Sequence, residues 1–467
     1  MIRGGSDGTS ELVPSQLVYK DVKTHAPRYK YVKILLSNIL NNQFVPTATG
    51  VTQIQFKMPY NTVYNLAKSK LAYQINIPAQ GSGVYTWVYQ DCFNLGNQLI
   101  TFETGNGLQL LNLPEPMKFS AIIGKVNQKF TDYVTNDGTE KPYSNAVYSG
   151  VGTLQGSGNL TANPTCQGVA QSVPYLEPQY MLCSALNTAV QDNNYYPLGR
   201  FAHTILALDK DIYAGQNDLY LKITTGGYNQ MCFQGTSATN PTTSATSLTN
   251  APTGIQNVYL YLAVQQDPMI IDRLVNQFNS AGIKLTIDYP IITKTTTQSS
   301  TNQQIVIPFV PANGKFLKKV YHTVWNATES LGTLLDCGNV NASKIVSYNT
   351  YLDSTKLQDD VINCAQSSGG TIYYDDWRTN EIQCRNSPIF TQFIYQKNWF
   401  HCDDFTQPDL IKDPQPVPSQ NLVDGIPMER GIQWQFLATT TNASYIHDNF
   451  AIFVREVLFS PNGIQFV

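Results

Sequence analysis

Along most of this chain apolar and polar residues alternate with a period of two, the spacing that places every second side chain on one face of a pleated strand. TQIQF (52–56), KLAYQINI (70–77), VYTWVY (84–89), RFAHTILAL (200–208), DLYLKIT (218–224) and NVYLYLAV (257–264) are rich in β-branched and aromatic residues and predict strands. IKLTIDYPII (283–292) extends the series. Strands resume with QIVIPF (304–309), KFLKKVYHTVW (315–325), TIYY (371–374), IFTQFIY (389–395) and WQFLATTT (434–441). At the end, Phe450–Phe459 and Ile464–Val467 flank Asn462-Gly463, a strong hairpin signal because both turn positions tolerate positive φ.

Two stretches carry a helical period instead. Asp267 is placed to cap a helix and Pro268 suits its first position. Ile271, Leu274, Val275 and Phe278 form its apolar stripe, and Gly282 follows its end. Val32, Leu35, Leu36, Ile39 and Leu40 make a second stripe, which predicts a short helix packed on its own domain or, in the alternative, an amphipathic helix that touches a membrane surface or an inner partner.

The two halves begin alike. TQIQFKMPYNTVYNLAKSKLAYQINI and QQIVIPFVPANGKFLKKVYHTVW each run short strand, proline-containing break, lysine, longer strand. The polar, low-complexity TKTTTQSSTNQ separates the halves as a linker. This divides the chain into an N-terminal basic and amphipathic arm (1–48), a first sandwich (49–292), the linker (293–303) and a second sandwich (304–467). Each half is long enough for the eight strands of a jelly roll. Long polar or proline-rich segments at 134–168, 235–254 and 403–431 read as projecting loops.

Composition changes the picture in one respect. Charged residues are 13% of the 467, about half the usual share, while the apolar share of 42% is ordinary. Asn, Gln, Ser and Thr take the place of charge, and such a surface is poorly defended against association. Much of it is therefore expected to lie against other subunits. A net charge of −3 argues against general nucleic-acid binding, with no sequence-specific nucleic acid expected as partner. The local exception is the basic cluster Lys20, Lys23, Arg28, Lys30 and Lys33 in the arm, where Asp21 is the one acid among them. Neither a signal peptide nor a transmembrane segment is read in the sequence, which predicts synthesis in the cytoplasm and reduced cysteines.

The search for chemistry returns no catalytic set, no cofactor and no metal site. Gly150–Gly158 has glycines but no following helix to face a phosphate. His401, Cys402, Asp403 and Asp404 are adjacent, but neighbours in a strand point to opposite faces. In DKDIYAGQND (209–218) the glycine is seventh and Tyr220 is twelfth, which departs from a calcium loop. Asp375 and Asp376 beside aromatics could serve glycoside hydrolysis if suitably spaced in space.

The order of features resembles the double jelly-roll major capsid proteins of adenovirus hexon, virophages, polinton-like viruses and large icosahedral DNA viruses. TQIQFKMP and PEPMKFSAIIGKVNQKFTDY (114–133) carry the resemblance in the first half. QQIVIPFVPANGKFLKKVYHTVWN, YNTYLDSTKLQDD (348–360) and DNFAIFVREVLFSPNGIQFV carry it in the second. It implies an all-β fold of two tandem eight-stranded jelly-roll β-sandwiches with short helices and long loops. Three chains would form a pseudo-hexameric capsomer that tiles an icosahedral shell in the virion. The implied partners are the homotrimer itself, neighbouring capsomers, minor capsid or penton proteins and an internal membrane. Under this reading the chain is not an enzyme, and Lys20, Lys23, Arg28, Lys30 and Lys33 are the inner-layer contacts. The alternatives are a viral fibre or glycan-binding sandwich module and, after it, a carbohydrate-active enzyme.

Overall fold

The computed structural model describes residues 28–89, 97–116, 119, 181–183, 189–236, 246–326, 345–358, 360–364, 400–406 and 425–467. The first half supplies β1 (Tyr29–Ile34), β2 (Thr52–Lys57), β3 (Val63–Ile77), β4 (Asn97–Thr104), β5 (Gln109–Pro114), β6 (Val190–Pro197), β7 (Leu219–Thr225) and β8 (Gly254–Gln265). They pair antiparallel in the orders β1-β8-β3-β6 and β2-β7-β4-β5. The second half supplies β9 (Ile283–Thr296), β10 (Ser300–Phe309), β11 (Phe316–Asn326), β12 (Ile345–Leu352), β13 (Thr355–Lys356), β14 (His401–Asp404), β15 (Ile432–Ala443) and β16 (Tyr445–Ser460). Their orders are β9-β16-β11-β14 and β10-β15-β12-β13. Leaving aside the additional strands of the first half (Tyr85–Tyr89, Met181–Cys183 and Cys232–Gly235, which form a small sheet of their own, and Asp211–Tyr213) and of the second (Ile362–Asn363, Ile426–Pro427 and Gly463–Phe466), adding eight to each strand of the first half reproduces the second. The chain is two jelly-roll sandwiches of one topology, and the matched openings of the halves are the equivalent pairs β2–β3 and β10–β11.

Alternation explains the strands that face solvent on one side. Along β10 Gln303, Ile305, Ile307 and Phe309 are buried while Gln304, Val306 and Pro308 are exposed. β15 repeats the pattern with Ile432, Trp434, Phe436 and Ala438 inside. The first core joins Ile54, Phe56, Ile100, Phe102, Leu221 and Ile223 to Leu71, Ile75, Leu260 and Leu262, all 3% exposed or less. At about 1.5–3 kcal/mol for each fully buried large apolar side chain, this layer is the main favourable term holding the sheets together.

β16 is different. Residues 447–454 are buried without alternation because the sheet is covered on both faces. Phe453 faces inward onto Phe309 at 5.3 Å, whereas Phe450 faces outward onto Phe119 of the first half at 5.9 Å. The halves also meet through His203 Nδ1 and Asp288 Oδ2 at 2.9 Å, and through Lys294 Nζ and Glu115 Oε1 at 2.9 Å.

Helix α1 (Pro268–Ser280) joins the halves as the sequence predicts. Asp267 Oδ1 accepts from the Met269 N–H at 3.0 Å, and Phe278 of the apolar stripe packs edge-on to Tyr213 at 5.0 Å. Gly282, at φ +79°, lets the chain turn directly into β9. The final hairpin pairs Ser460 with Gly463 across a two-residue turn, and the last strand, Gly463–Phe466, lies against β16.

Three segments differ from the expectations above. No α-helix forms at 32–40: the segment begins as edge strand β1, paired with β8 from Tyr29–Gln265 to Ile34–Leu260, and reaches only a 3-10 turn at Leu40–Asn42. The backbone bonds of that pairing outweigh a short amphipathic stripe, and Leu35 and Leu40 are left exposed. The strand expected at 200–208 is two 3-10 turns, Leu198–Arg200 and Ile205–Ala207, the second capped by Thr204 Oγ1. Its apolar residues Phe201, Ile205 and Leu206 are buried as turns beneath β3 rather than as a strand. Finally, 283–292 pairs with β16 in the second sandwich, and 293–303 is largely strand instead of linker. Its threonines are β-branched and extend β9 to Thr296, where Thr297 turns the corner by donating its N–H to the Tyr445 carbonyl at 2.8 Å.

Candidate functional site

Of the basic cluster, Lys20 and Lys23 lie outside the described residues. Arg28 leads into β1, its N–H donating to Gln265 Oε1 at 3.2 Å and its carbonyl accepting from the Gln266 N–H at 2.7 Å. Lys30 and Lys33 are exposed on the strand itself, opposite Val264 and Tyr261. Lys33 Nζ stands 3.3 Å from the centre of the Tyr259 ring, and Lys68 and Lys70 approach the rings of Tyr29 and Tyr31 at 5.5 and 5.9 Å. Each such contact is worth about 0.5–1 kcal/mol at an exposed site. The Tyr29 hydroxyl donates to Asp211 Oδ1 at 2.8 Å, and burial, reinforced by that carboxylate, pushes its pKa up. Sheet pairing thus gathers Arg28, Lys30 and Lys33 at one edge of the first sandwich.

The other sequence motifs resolve into structural contacts where they are described. Asp209 pairs with Lys68, and Lys68 together with the Asn65 amide holds its carboxyl below the usual range. Asp211 receives Tyr29 and the Gln265 amide, so this loop is closed by protein partners. Among the described residues no three His, Cys, Asp or Glu side chains gather as a metal site. Gly150–Gly158 and the Asp375–Asp376 pair lie outside the described residues.

His401–Asp404 form β14, and alternation separates them as expected. His401 and Asp403 share the inner face, where His401 Nε2 meets Asp403 Oδ1 at 3.0 Å and His401 Nδ1 meets the Tyr348 hydroxyl at 2.9 Å. Asp403 Oδ2 accepts from Trp434 Nε1 at 2.7 Å, and Oδ1 from Thr350 Oγ1 at 3.3 Å. Asp404 lies on the other face and pairs with Lys319 at 2.7 Å.

Sequence reasoning missed the larger polar cluster that continues from here across the second core. His322 Nε2 meets His447 Nδ1 at 3.2 Å, His447 Nε2 meets Gln303 Oε1 at 2.7 Å, and His322 Nδ1 faces the Asn449 amide at 2.5 Å. The His322 ring lies 4.0 Å from the Phe436 ring and 5.5 Å from Trp434. All of these polar residues are 4% exposed or less. The available signal was a histidine within each of two apolar strand patterns, VYHTVW and YIHDNF.

On the outside of the same sandwich, β10 and β15 contain no Asp, Glu, Lys or Arg over their whole length. Their exposed face presents Asn302, Gln304, Val306 and Pro308 beside Gln433, Leu437 and Thr439. Such a face associates without desolvating a charge. A depression of about 540 Å³ beside α1 is lined by Lys210, Asp211, Asp267 and Arg273 with apolar neighbours; Asp211 and Asp267 are already engaged as described.

No family model matches the sequence, and no curated protein does. Solved structures do match. PBCV-1 VP54, in a crystal structure fitted into a cryo-EM reconstruction of the virophage Sputnik, aligns over 96% of this chain and 99% of its own, with a TM-score of 0.51 at 9% identity. The mavirus major capsid protein aligns over 100% of this chain and 95% of its own, with a TM-score of 0.50 at 10% identity. The duplicated eight-strand topology and these matches agree: the chain has the double jelly-roll fold of viral major capsid proteins.

Proposed function

We propose that this chain is a structural shell protein, three copies of which form a pseudo-hexameric capsomer of an icosahedral capsid. The observation that carries the reading is the duplication itself. Two sandwiches of one topology in each chain give six similar lobes in a trimer, the number a hexagonal lattice needs. The uncharged outer face of β10 and β15 supports contact between copies, since obligate interfaces commonly bury more than about 2,000 Å² and are relatively apolar. In this reading the units divide near Gly282, after α1, and the chain resides in the virion.

The arm ahead of β1 is the proposed inner-layer contact, with Lys20 and Lys23 acting together with Arg28, Lys30 and Lys33 at the sheet edge. An anionic membrane surface or the acidic face of a minor capsid protein would suit them. Near anionic lipid each charge contributes about 1 kcal/mol and fades with salt.

Electron microscopy and sedimentation of the purified full chain test the proposal. A flat, six-lobed trimer is expected. A stable, folded monomer at micromolar concentration would overturn it.

A further inference from the structure

Because the halves share one topology, the contact that joins them has a counterpart in the molecule. Within the chain the first sandwich is seated on β9 and β16, the edge strand and its neighbour in one sheet of the second. β5 and the turn Ile205–Ala207 lie beside β9. Glu115, one residue beyond β5, meets Lys294; His203 meets Asp288, and Phe119 meets Phe450. The equivalents of β9 and β16 in the first sandwich are β1 and β8. The equivalent of β5 is the edge formed by β13 and Ile362–Asn363, both of which pair with β12. One version of this pair of surfaces is closed within the chain. The other stays open, because the chain has no third sandwich: β1 and β8 present the receiving face, and the β13 edge presents the seated one.

The side chains of the two receiving faces fit this difference. The closed face consists of Pro290, Phe450 and Ile452, all buried. On β1, Val32 and Ile34 stand opposite the core residues Leu262 and Leu260, so Tyr31 and Lys33 are on the outward side, with Tyr259 and Tyr261 of β8. Tyr31 is 50% exposed, Lys33 lies over Tyr259, Lys70 approaches Tyr31, and the rings of Tyr259 and Tyr261 meet edge-on at 6.5 Å. A face closed during folding can be apolar throughout. A face that is wet until a second copy arrives keeps a hydroxyl or an ammonium at the tip of each large side chain, and tyrosine is enriched in such interfaces.

The charges follow the same order. Within the chain the lysine, Lys294, is on the receiving strand and the acid, Glu115, on the seated side. In the open version the receiving face carries Lys33 and Lys70, and the seated edge exposes Asp360 beside Val361. Opposite charges therefore meet when the open surfaces are brought together as the closed ones are.

We propose that the face of Tyr31, Tyr259 and Tyr261 on the first sandwich is the seat for the β13 edge of another copy's second sandwich, repeating between chains the contact that joins the halves. The inference rests on the trimeric shell reading and deepens it. Six sandwiches from three chains then form one ring with a single kind of contact, alternately within and between chains. The arrangement narrows the inner-layer set to Lys20, Lys23, Arg28 and Lys30, because Lys33 lies within the seat.

Sedimentation of the full chain tests the seat. The unmodified chain is expected to be a trimer at micromolar concentration. Tyr31→Glu places a carboxylate in the seat, against Asp360 of the next copy. It is expected to weaken the trimer at least about tenfold and leave folded monomer with an unchanged circular dichroism spectrum. Asp360→Lys, which sets a cation against Lys33 and Lys70, is expected to do the same from the other side. A trimer left intact by either variant overturns the seat and leaves the shell reading standing, whereas an unmodified chain that stays monomeric overturns both. Should a variant fail to fold, hydroxyl-radical labelling of the unmodified trimer reads the same surface. Tyr31 is then expected to be protected, and labelling as ready as that of Met269, which is 62% exposed in the single chain, overturns the seat.

Discussion

Replacing Lys319 by methionine tests the buried ion pair that joins β11 to β14. Lys319 Nζ lies 2.7 Å from Asp404 Oδ2, and the two side chains are 9% and 1% exposed. Their backbones are direct partners across the ladder, so the pair bridges adjacent strands of one sheet face. Methionine keeps the length and apolar stem of lysine and removes the charge. The Asp404 carboxylate then stays in a buried site, still accepting from Thr406 N–H at 2.9 Å and Oγ1 at 2.6 Å but without the facing lysine charge. Orphaning one partner of a buried pair costs about 3–5 kcal/mol, whereas an exposed pair is worth about 0–1 kcal/mol. With about 2–4 °C lost per kcal/mol in a unit of this size, the melting temperature of the second sandwich should fall by roughly 6–20 °C.

The double variant Lys319→Met/Asp404→Asn separates loss of the pair from loss of the surroundings. Asparagine keeps an oxygen for the two Thr406 donors while removing the second charge. The double variant should therefore recover about 2 kcal/mol or more of the single loss. Calorimetry and urea unfolding at one fixed protein concentration are the assays, since assembly makes stability concentration-dependent. A loss below about 1 kcal/mol for Lys319→Met, or a double variant less stable than the single, would refute the claim that these charges are desolvated.

Two further substitutions probe polar contacts of the second sandwich. Trp434→Phe should cost about 1–3 kcal/mol in urea unfolding, because Asp403 Oδ2 loses the 2.7 Å bond from Trp434 Nε1 while the apolar packing is largely kept. Asp288→Asn should destabilise by about 2 kcal/mol at pH 7 and have little effect near pH 2. Burial pushes the Asp288 carboxyl up, but His203 and Lys318 outweigh it and hold the value at about 2 against an ordinary 3.8. Stability from such a depressed carboxyl is complete above about pH 3.8 and disappears as pH falls toward 2, so the gap between variant and parent should close over that interval.

How legible the molecule is from its sequence depends on how each strand is covered. β10 and β15 bury one face, so their alternation names both the strand and its inward residues. α1 carries a capping aspartate, a proline and a glycine, each with its own physical role, and its ends are readable to the residue. β16 is covered on both faces over 447–454, so its segment reads as a strand but not which residues face which neighbour. β1 is hard for another reason: an edge strand with Tyr29, Tyr31 and Lys33 along it has too few apolar positions to separate strand from helix. The basic cluster is visible as charge, yet its gathering at a sheet edge needs the pairing with β8, more than 200 residues away. The His322–Asn449 contact likewise spans 127 residues, and no local pattern announces it. Both sandwiches nevertheless reach one topology around different interiors, one lined by Ile54, Phe56, Ile100 and Phe102, the other interrupted by His322, His447, Asp403 and Asn449. Strand order therefore follows from where inward positions fall and tolerates wide variation in what fills them. Among the described residues the histidine cluster belongs to the second core alone, added to a strand order that the first half also builds.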